Sequence, residues 1–408
     1  MTDTKKTYKV CKSRWLTLAM LIPIIVASEL FWLTFAPIES AAMSFYNTSS
    51  FNISLFSLSY MLMYILFTIP ASLVIERFGY KASVVIGAAL TVVFGATRYV
   101  FAESFTIVLI SQFLIAAGQP FLVNISTKVP ANWFPVHERS TASGLLVMAQ
   151  YVGFIAAMIL STVLIDMISI KDILGVYALF ALLCAVPALF AKERPPAAPG
   201  PEAPKESLNF ANMRKLFRSR HFLPVLIISF ISMGLFNTIM TKVDQIFSPK
   251  GADAGMIGAI FIVCGIIGAV ALPIVSDKLR KRVPFFIGGV ILIALLLGGI
   301  TAFAGFGALA ALAAVLGFVV MGLAPILFQH GAETAYPVQE GASFGTIMLM
   351  GQISGILFVG LFEMIQGETG RALWPMLFLI ALALIQIPFS ASMRESALFK
   401  ADDNSLTG

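Results

Sequence analysis

Phe134-Pro135-Val136-His137-Glu138 and Tyr336-Pro337-Val338-Gln339-Glu340 are two versions of one pentapeptide, 202 residues apart in a chain of 408. At the same offset Ala149-Gln150-Tyr151-Val152-Gly153 matches Gly351-Gln352-Ile353-Ser354-Gly355. A third echo, at offset 201, sets Glu76-Arg77-Phe78-Gly79-Tyr80-Lys81 against Asp277-Lys278-Leu279-Arg280-Lys281-Arg282. Each is short, but three at essentially one spacing mark an internal duplication.

The surroundings of the echoes say what is duplicated. Apolar residues make up 59% of the chain and charged residues 12%, with a mean hydropathy of +0.92. A soluble domain carries roughly a quarter charged residues because its surface faces water, so the solvent of this chain is lipid. A spanning helix needs roughly 20 mostly apolar residues. Spans are predicted near 15–44, 53–75, 82–101, 106–130, 141–165, 172–191, 222–247, 255–275, 284–303, 308–332, 342–364 and 372–392. The first apolar stretch runs too long for a signal peptide's apolar core. The expected fold is an all-α membrane protein with twelve transmembrane helices in two pseudo-symmetric six-helix halves, parallel repeats related by an axis along the membrane normal.

With the N-terminus inside, 22 of the 27 Lys and Arg fall on one side; the other side holds Arg98, Lys171, Lys242, Lys250 and Arg371. The positive-inside rule then puts both termini in the cytoplasm, in a multi-pass protein of the cell membrane. The basic balance of +6 is thus a topology signal, and no nucleic-acid partner is expected. Residues 192–220 read as a cytoplasmic linker between halves 1–191 and 221–408. Its Pro195, Pro196, Pro199, Pro201 and Pro204 favour an extended spacer, and a basic end follows at Arg214, Lys215, Arg218 and Arg220. Cys184 and Cys264 sit in apolar helices and read as small hydrophobes, and Cys11 has no metal-type spacing to either. There is no phosphate-binding loop, no zinc spacing and no recognisable nucleophile, so neither primary pumping nor an enzyme is expected, and no cofactor or metal.

The loop at 76–81 resembles the signature of the major facilitator superfamily: an acid, a base, then glycine and a base. Glu76 stands where aspartate is usual, and the second copy has Arg280 in place of the glycine. Its expected role is gating. The acid caps a neighbouring helix while Arg77 and Lys81, with Asp277 and Lys278 in the second copy, hold the cytoplasmic face by ion pairs around Gly79. Glu138, Arg139 and Glu340 join the same gating loops. A further resemblance rests on Phe328-Gln329-His330-Gly331-Ala332-Glu333-Thr334-Ala335-Tyr336-Pro337, then Glu340 to Ser343 and Gln352. Phe31-Trp32 before Ala36-Pro37-Ile38, Tyr60-Met61 and the 119–139 stretch extend it. These residues are similar to the feline leukaemia virus subgroup C receptor family, solute carrier family 49. The resemblance implies a monomeric secondary carrier of a small organic solute, a uniporter or proton-coupled, with choline-like amines and vitamin-like amines among the expectations.

Polar groups inside spans are costly and need a reason. Gln150 and Gln352, paired by the repeat, are read either as cavity-lining amides or as helix-to-helix hydrogen bonds. Trp32 matches the family's substrate-contacting aromatic, and an indole face attracts an organic cation. Glu29, three residues earlier on the same face, is read as a charge-neutralising or proton-carrying group, or as an ion-pair partner of Lys242. Asn237 occupies a place where the choline-type carriers present a tyrosine, so an aromatic wall is missing. That keeps open an organic anion carrier using Lys242, although Lys242 pairing with Glu39 near Asp244 as an outer gate reads as well. His330 and Glu333 are titratable, the latter expected to brace the inner gate with bases such as Arg139. A receptor or sensor without flux is the rival outside transport.

Overall fold

In the computed structural model, residues 11–193, 210–335, 340–367, 372–393 and 395 are described. Among the described residues, twelve helices are long and apolar enough to cross a membrane. These spans 1 to 12 are Arg14–Tyr46, Ser50–Phe78, Tyr80–Val100, Phe105–Trp133, Thr141–Ile165, Ile170–Phe190, Leu223–Thr241, Ala254–Leu279, Val283–Ala302, Phe306–Thr334, Ser343–Gln366 and Leu373–Ser392. Large apolar side chains such as Leu73, Leu183, Leu295 and Met364 stand exposed along them, as lipid-facing positions do.

Two spans break where the sequence suggested continuity. Pro37 turns span 1 through a 3₁₀ turn, Ala36–Ile38, into the short helix Glu39–Tyr46. Residues 222–247 form two helices, Leu223–Thr241 and Val243–Phe247, joined at Lys242 with its backbone outside the helical region. The linker also departs from a uniform spacer. Residues 194–209 lie outside the described residues, but Phe210–Arg218 is a helix, because the prolines end at Pro204. Leu216 is buried, while Arg214, Lys215 and Arg218 are exposed.

The chain packs as two compact units. The first holds Met1–Trp32, Leu66–Ala157 and Met167–Lys205; the second holds Leu33–Ile65, Met158–Asp166 and Glu206–Gly408. The duplication is visible inside each. In the first, span 3 packs on spans 4 and 6, and span 1 on the same two; in the second, span 9 packs on spans 10 and 12, and span 7 on those two. Proline pairs sit inside corresponding helices, Pro70 with Pro273, Pro120 with Pro325 and Pro187 with Pro388. Spans 8 and 10 approach most closely through glycine: a Cβ on Gly268 would run into the carbonyl of Phe318, and one on Gly317 into that of Phe261.

Candidate functional site

At the linker end, the repeat reappears as geometry. In the first unit the Glu193 carboxylate accepts from the backbone N–H groups of Tyr80 (3.2 Å) and Lys81 (2.7 Å), the first residues of span 3. In the second unit the Glu395 carboxylate accepts from the N–H groups of Arg282 (3.0 Å) and Val283 (3.0 Å), at the start of span 9. Glu193 and Glu395, like Tyr80 and Arg282, are 202 apart. Each acid satisfies donors that a helix start leaves open and sits at the positive end of its dipole. Gly79, one residue before span 3, and Arg280, three before span 9, both hold positive φ, 88° and 50°. The two turns nonetheless differ: Gly79, with ψ of 166°, leads directly into span 3, whereas Arg280, left-handed with ψ of 34°, closes span 8.

The expectation that Glu76 caps a helix is corrected. Glu76 and Arg77 are exposed on the outside of their own helix, and the capping acid arrives instead from the end of span 6. Lys81 is half-buried, and Lys278 is exposed. Asp277 lies 3.9 Å from Arg282 and is two-thirds exposed, a weak contact. Glu333 is paired with Arg282 at 2.7 Å, both side chains buried, and Arg139 Nε donates to the carbonyl of Phe134. Glu138 takes a two-pronged bond from Arg14, whose Nε and second terminal nitrogen lie 2.8 and 3.1 Å from its oxygens. His330 is buried beside Phe286. Glu340 opens the helix Glu340–Gln366, and its side chain lies outside the described residues.

In mid-span, the first unit places Glu29, Trp32 and Gln150 on one neighbourhood. A Cβ on Gly153 would lie 2.6 Å from the carbonyl oxygen of Val26 and 2.8 Å from Glu29 Cβ, so span 1 rests directly on span 5 there. Glu29 is buried and accepts from Gln119 Nε2 at 2.9 Å. Trp32 meets Phe154 edge-on at 4.8 Å, and Tyr151 meets the same ring at 5.8 Å. Gln150 is half-buried one helical turn before Phe154, on the same helix face.

The second unit repeats this with different chemistry. A Cβ on Gly355 would lie 3.1 Å from Asn237 Cβ and 2.6 Å from Met61 Sδ, so Asn237 of span 7 occupies against span 11 the place Glu29 holds against span 5. Asn237 Nδ2 donates to the carbonyl of Gly351 at 3.1 Å, and Gln352 beside that glycine is half-buried.

At the far end, Lys242 is buried in a cluster within the second unit. Its ammonium donates to Glu39 Oε1 (2.9 Å) and Ser50 Oγ (2.9 Å) and is ion-paired with Glu363. Asp244 is held separately, by the N–H (2.8 Å) and hydroxyl (2.6 Å) of Ser40 and the hydroxyl of Ser248. Glu363 was missed by sequence reasoning, as was Arg98. Counted above as an exterior charge, Arg98 is instead fully buried, its guanidinium 5.1 Å over the Phe31 ring.

These are polar and charged residues set into paired spans of a duplicated twelve-helix membrane protein, and that is the plan of a secondary transporter. The sequence model of the Major Facilitator Superfamily matches residues 15–359, and the chain belongs to that superfamily. Among its relatives, solute carrier family 49 member A3 of Xenopus tropicalis is 28% identical over 384 residues, covering 88% of this chain and 79% of the relative. The choline/ethanolamine transporter FLVCR2 of Homo sapiens is 24% identical over 383 residues, covering 86% and 71%. The fold is shared with a bacterial homologue of the human lysosomal transporter Spinster, at TM-score 0.69 and 14% identity over 94% of this chain and 97% of that one. It is shared also with the E. coli fucose:proton symporter FucP, at TM-score 0.60 and 18% identity over 93% and 99%.

Proposed function

We propose that this transporter moves a small organic amine by alternating access, as a monomer in the cell membrane with both termini cytoplasmic. Trp32 and Gln150 from one half, and Asn237 and Gln352 from the other, are the proposed solute contacts. The observation that carries the reading is the aromatic group Trp32, Phe154 and Tyr151 in the same part of the first unit as the buried carboxylate of Glu29. Aromatic faces and a carboxylate are what an organic cation needs when it leaves water. The naming of relatives as choline/ethanolamine transporters points the same way. An organic anion held by Lys242 has less support, because an ammonium has three donors and Glu39, Ser50 and Glu363 engage it.

The test is uptake into proteoliposomes of labelled choline and ethanolamine, beside small carboxylates. Amine flux that Trp32→Ala lowers at least tenfold is the expected result; carboxylate flux alone would transfer the reading to an anion carrier, and no flux at all would favour a receptor. Orientation is tested by a cysteine placed at Ser207, which should label only from the cytoplasmic side.

A further inference from the structure

We propose that the Lys242–Glu39–Glu363 cluster binds one exchangeable proton, and that losing it opens the far end of the spans. The inference rests on the carrier reading above and assigns it a coupling ion.

The cluster joins chain segments that the sequence holds far apart. Glu39 begins the short helix that closes span 1, Ser50 begins span 2, Lys242 follows span 7, and Glu363 lies in the last turn of span 11. Ser50 Oγ lies 2.7 Å from Glu39 Oε1 and 2.6 Å from Glu363 Oε1, and Ser54 Oγ adds a 3.0 Å bond to Glu363. Gln245 Nε2 donates to Glu39 Oε1 at 2.9 Å and also reaches Ser50. The side chains of Lys242, Glu39 and Glu363 are 0%, 2% and 11% exposed, so water screens none of them appreciably.

The charges do not balance. One ammonium faces two carboxylates, and Asp244, two residues on, adds a third acid, although its own bonds go to Ser40 and Ser248. The other charged groups nearby are committed elsewhere: Asp253 caps span 8 at the Met256 N–H, and Lys250 donates to the carbonyls of Ile300 and Thr301. A buried net negative charge is expensive, and one bound proton makes the three-residue cluster neutral.

The geometry also says where the proton sits. Glu39 Oε1 takes the ammonium, the Ser50 hydroxyl and the Gln245 amide, while Glu39 Oε2 is buried and has no hydrogen-bond partner among the described residues. Ionised, that oxygen would carry charge with no donor beside it among the described residues. Glu363 is the more exposed acid and is ion-paired with Lys242. On release, the O–H bond of Glu39 breaks with its electron pair left on oxygen, and the proton passes to water. The cluster is then left with a net charge of minus one, which separation of its segments relieves by admitting water.

The experiment places spin labels at Phe45 and Ile365, both partly exposed, after replacing Cys11, Cys184 and Cys264, and measures their separation from about pH 5 to about pH 9. Closing then takes up one proton, so the open-to-closed ratio should rise up to about tenfold per pH unit over the responsive range. Glu39→Gln imitates the protonated acid and should hold the short distance at every pH. It should also abolish solute accumulation driven by a pH gradient while downhill exchange survives. A wild-type distance unchanged across the range would overturn the proposal. So would a pH response that persists undiminished in both Glu39→Gln and Glu363→Gln. Absence of solute flux with a pH-responsive distance would strike the carrier reading and leave the proton site standing.

Discussion

Replacing Lys242 by methionine keeps the length of the side chain and removes its charge. It leaves Glu39 and Glu363 facing each other across Ser50 with no cation between them. Both acids are nearly inaccessible to solvent, so the discount that applies to surface ion pairs does not apply here. Removing one partner of a buried ion pair costs about 3–5 kcal/mol. At the ~2–4 °C per kcal/mol of domains of 150–250 residues, the loss in Tm is at least roughly 6 °C. The assay is thermal unfolding of purified protein, followed by loss of monodisperse material on size-exclusion chromatography. The same cost should fall away when the acids go too: Lys242→Met with Glu39→Gln and Glu363→Gln leaves no charge at these three positions and should recover most of the lost stability, since the penalties are strongly non-additive. If Lys242→Met unfolds within about 2 °C of the wild type, the ammonium is not sustaining the buried charge of this cluster. If the triple variant is no more stable than the single one, the loss came from packing and the charge argument is wrong.

Three further outcomes are expected. Gln150→Ala and Gln352→Ala should each weaken solute binding with little change in Tm; a fall in Tm with affinity intact would make both amides helix-joining bonds instead. Glu193→Ala and Glu395→Ala should each lower stability by about 1–2 kcal/mol, because the two acids perform one task on spans 3 and 9; a loss in only one of them, measured by the same unfolding assay, would break that equivalence. Gly79→Ala should cost about 1–2 kcal/mol for its φ of 88° and also displace the Glu193 carboxyl carbon, 2.5 Å from the new Cβ. Combining it with Glu193→Ala should therefore cost less than the two losses added together, as a double-mutant cycle on unfolding would show.

The twelve spans were legible because each is a local property: about twenty apolar residues in a row are read without knowing their neighbours. The duplication was legible at Gln150 and Gln352 for a similar reason, since position in a repeat survives without contacts. What stayed hidden depends on distant partners. Nothing near Glu363 distinguishes it from a loop acid at a span end; only Ser50, 313 residues away, and Lys242 reveal it as part of a buried cluster. Arg98 was misread because a base in the last turn of a span looks like a topology marker, and Phe31, which covers it, lies on another helix. Glu193 and Glu395 were readable in principle, as acids 202 residues apart just beyond the sixth and twelfth spans, but a single residue gives no pattern until its helix start is seen. The Lys242 cluster differs from all of these. Its three charged members come from the last part of span 1, from just after span 7 and from the end of span 11, so the sequence could offer Lys242 and Glu39 only as one pairing among several. A chain that gathers unlike charges from such distant segments, and leaves one acid in excess, stabilises that gathering only while a proton or another cation completes it. That dependence makes this end of the molecule conditional on its ionic surroundings, where the glycine-on-helix contacts of spans 8 and 10 are not.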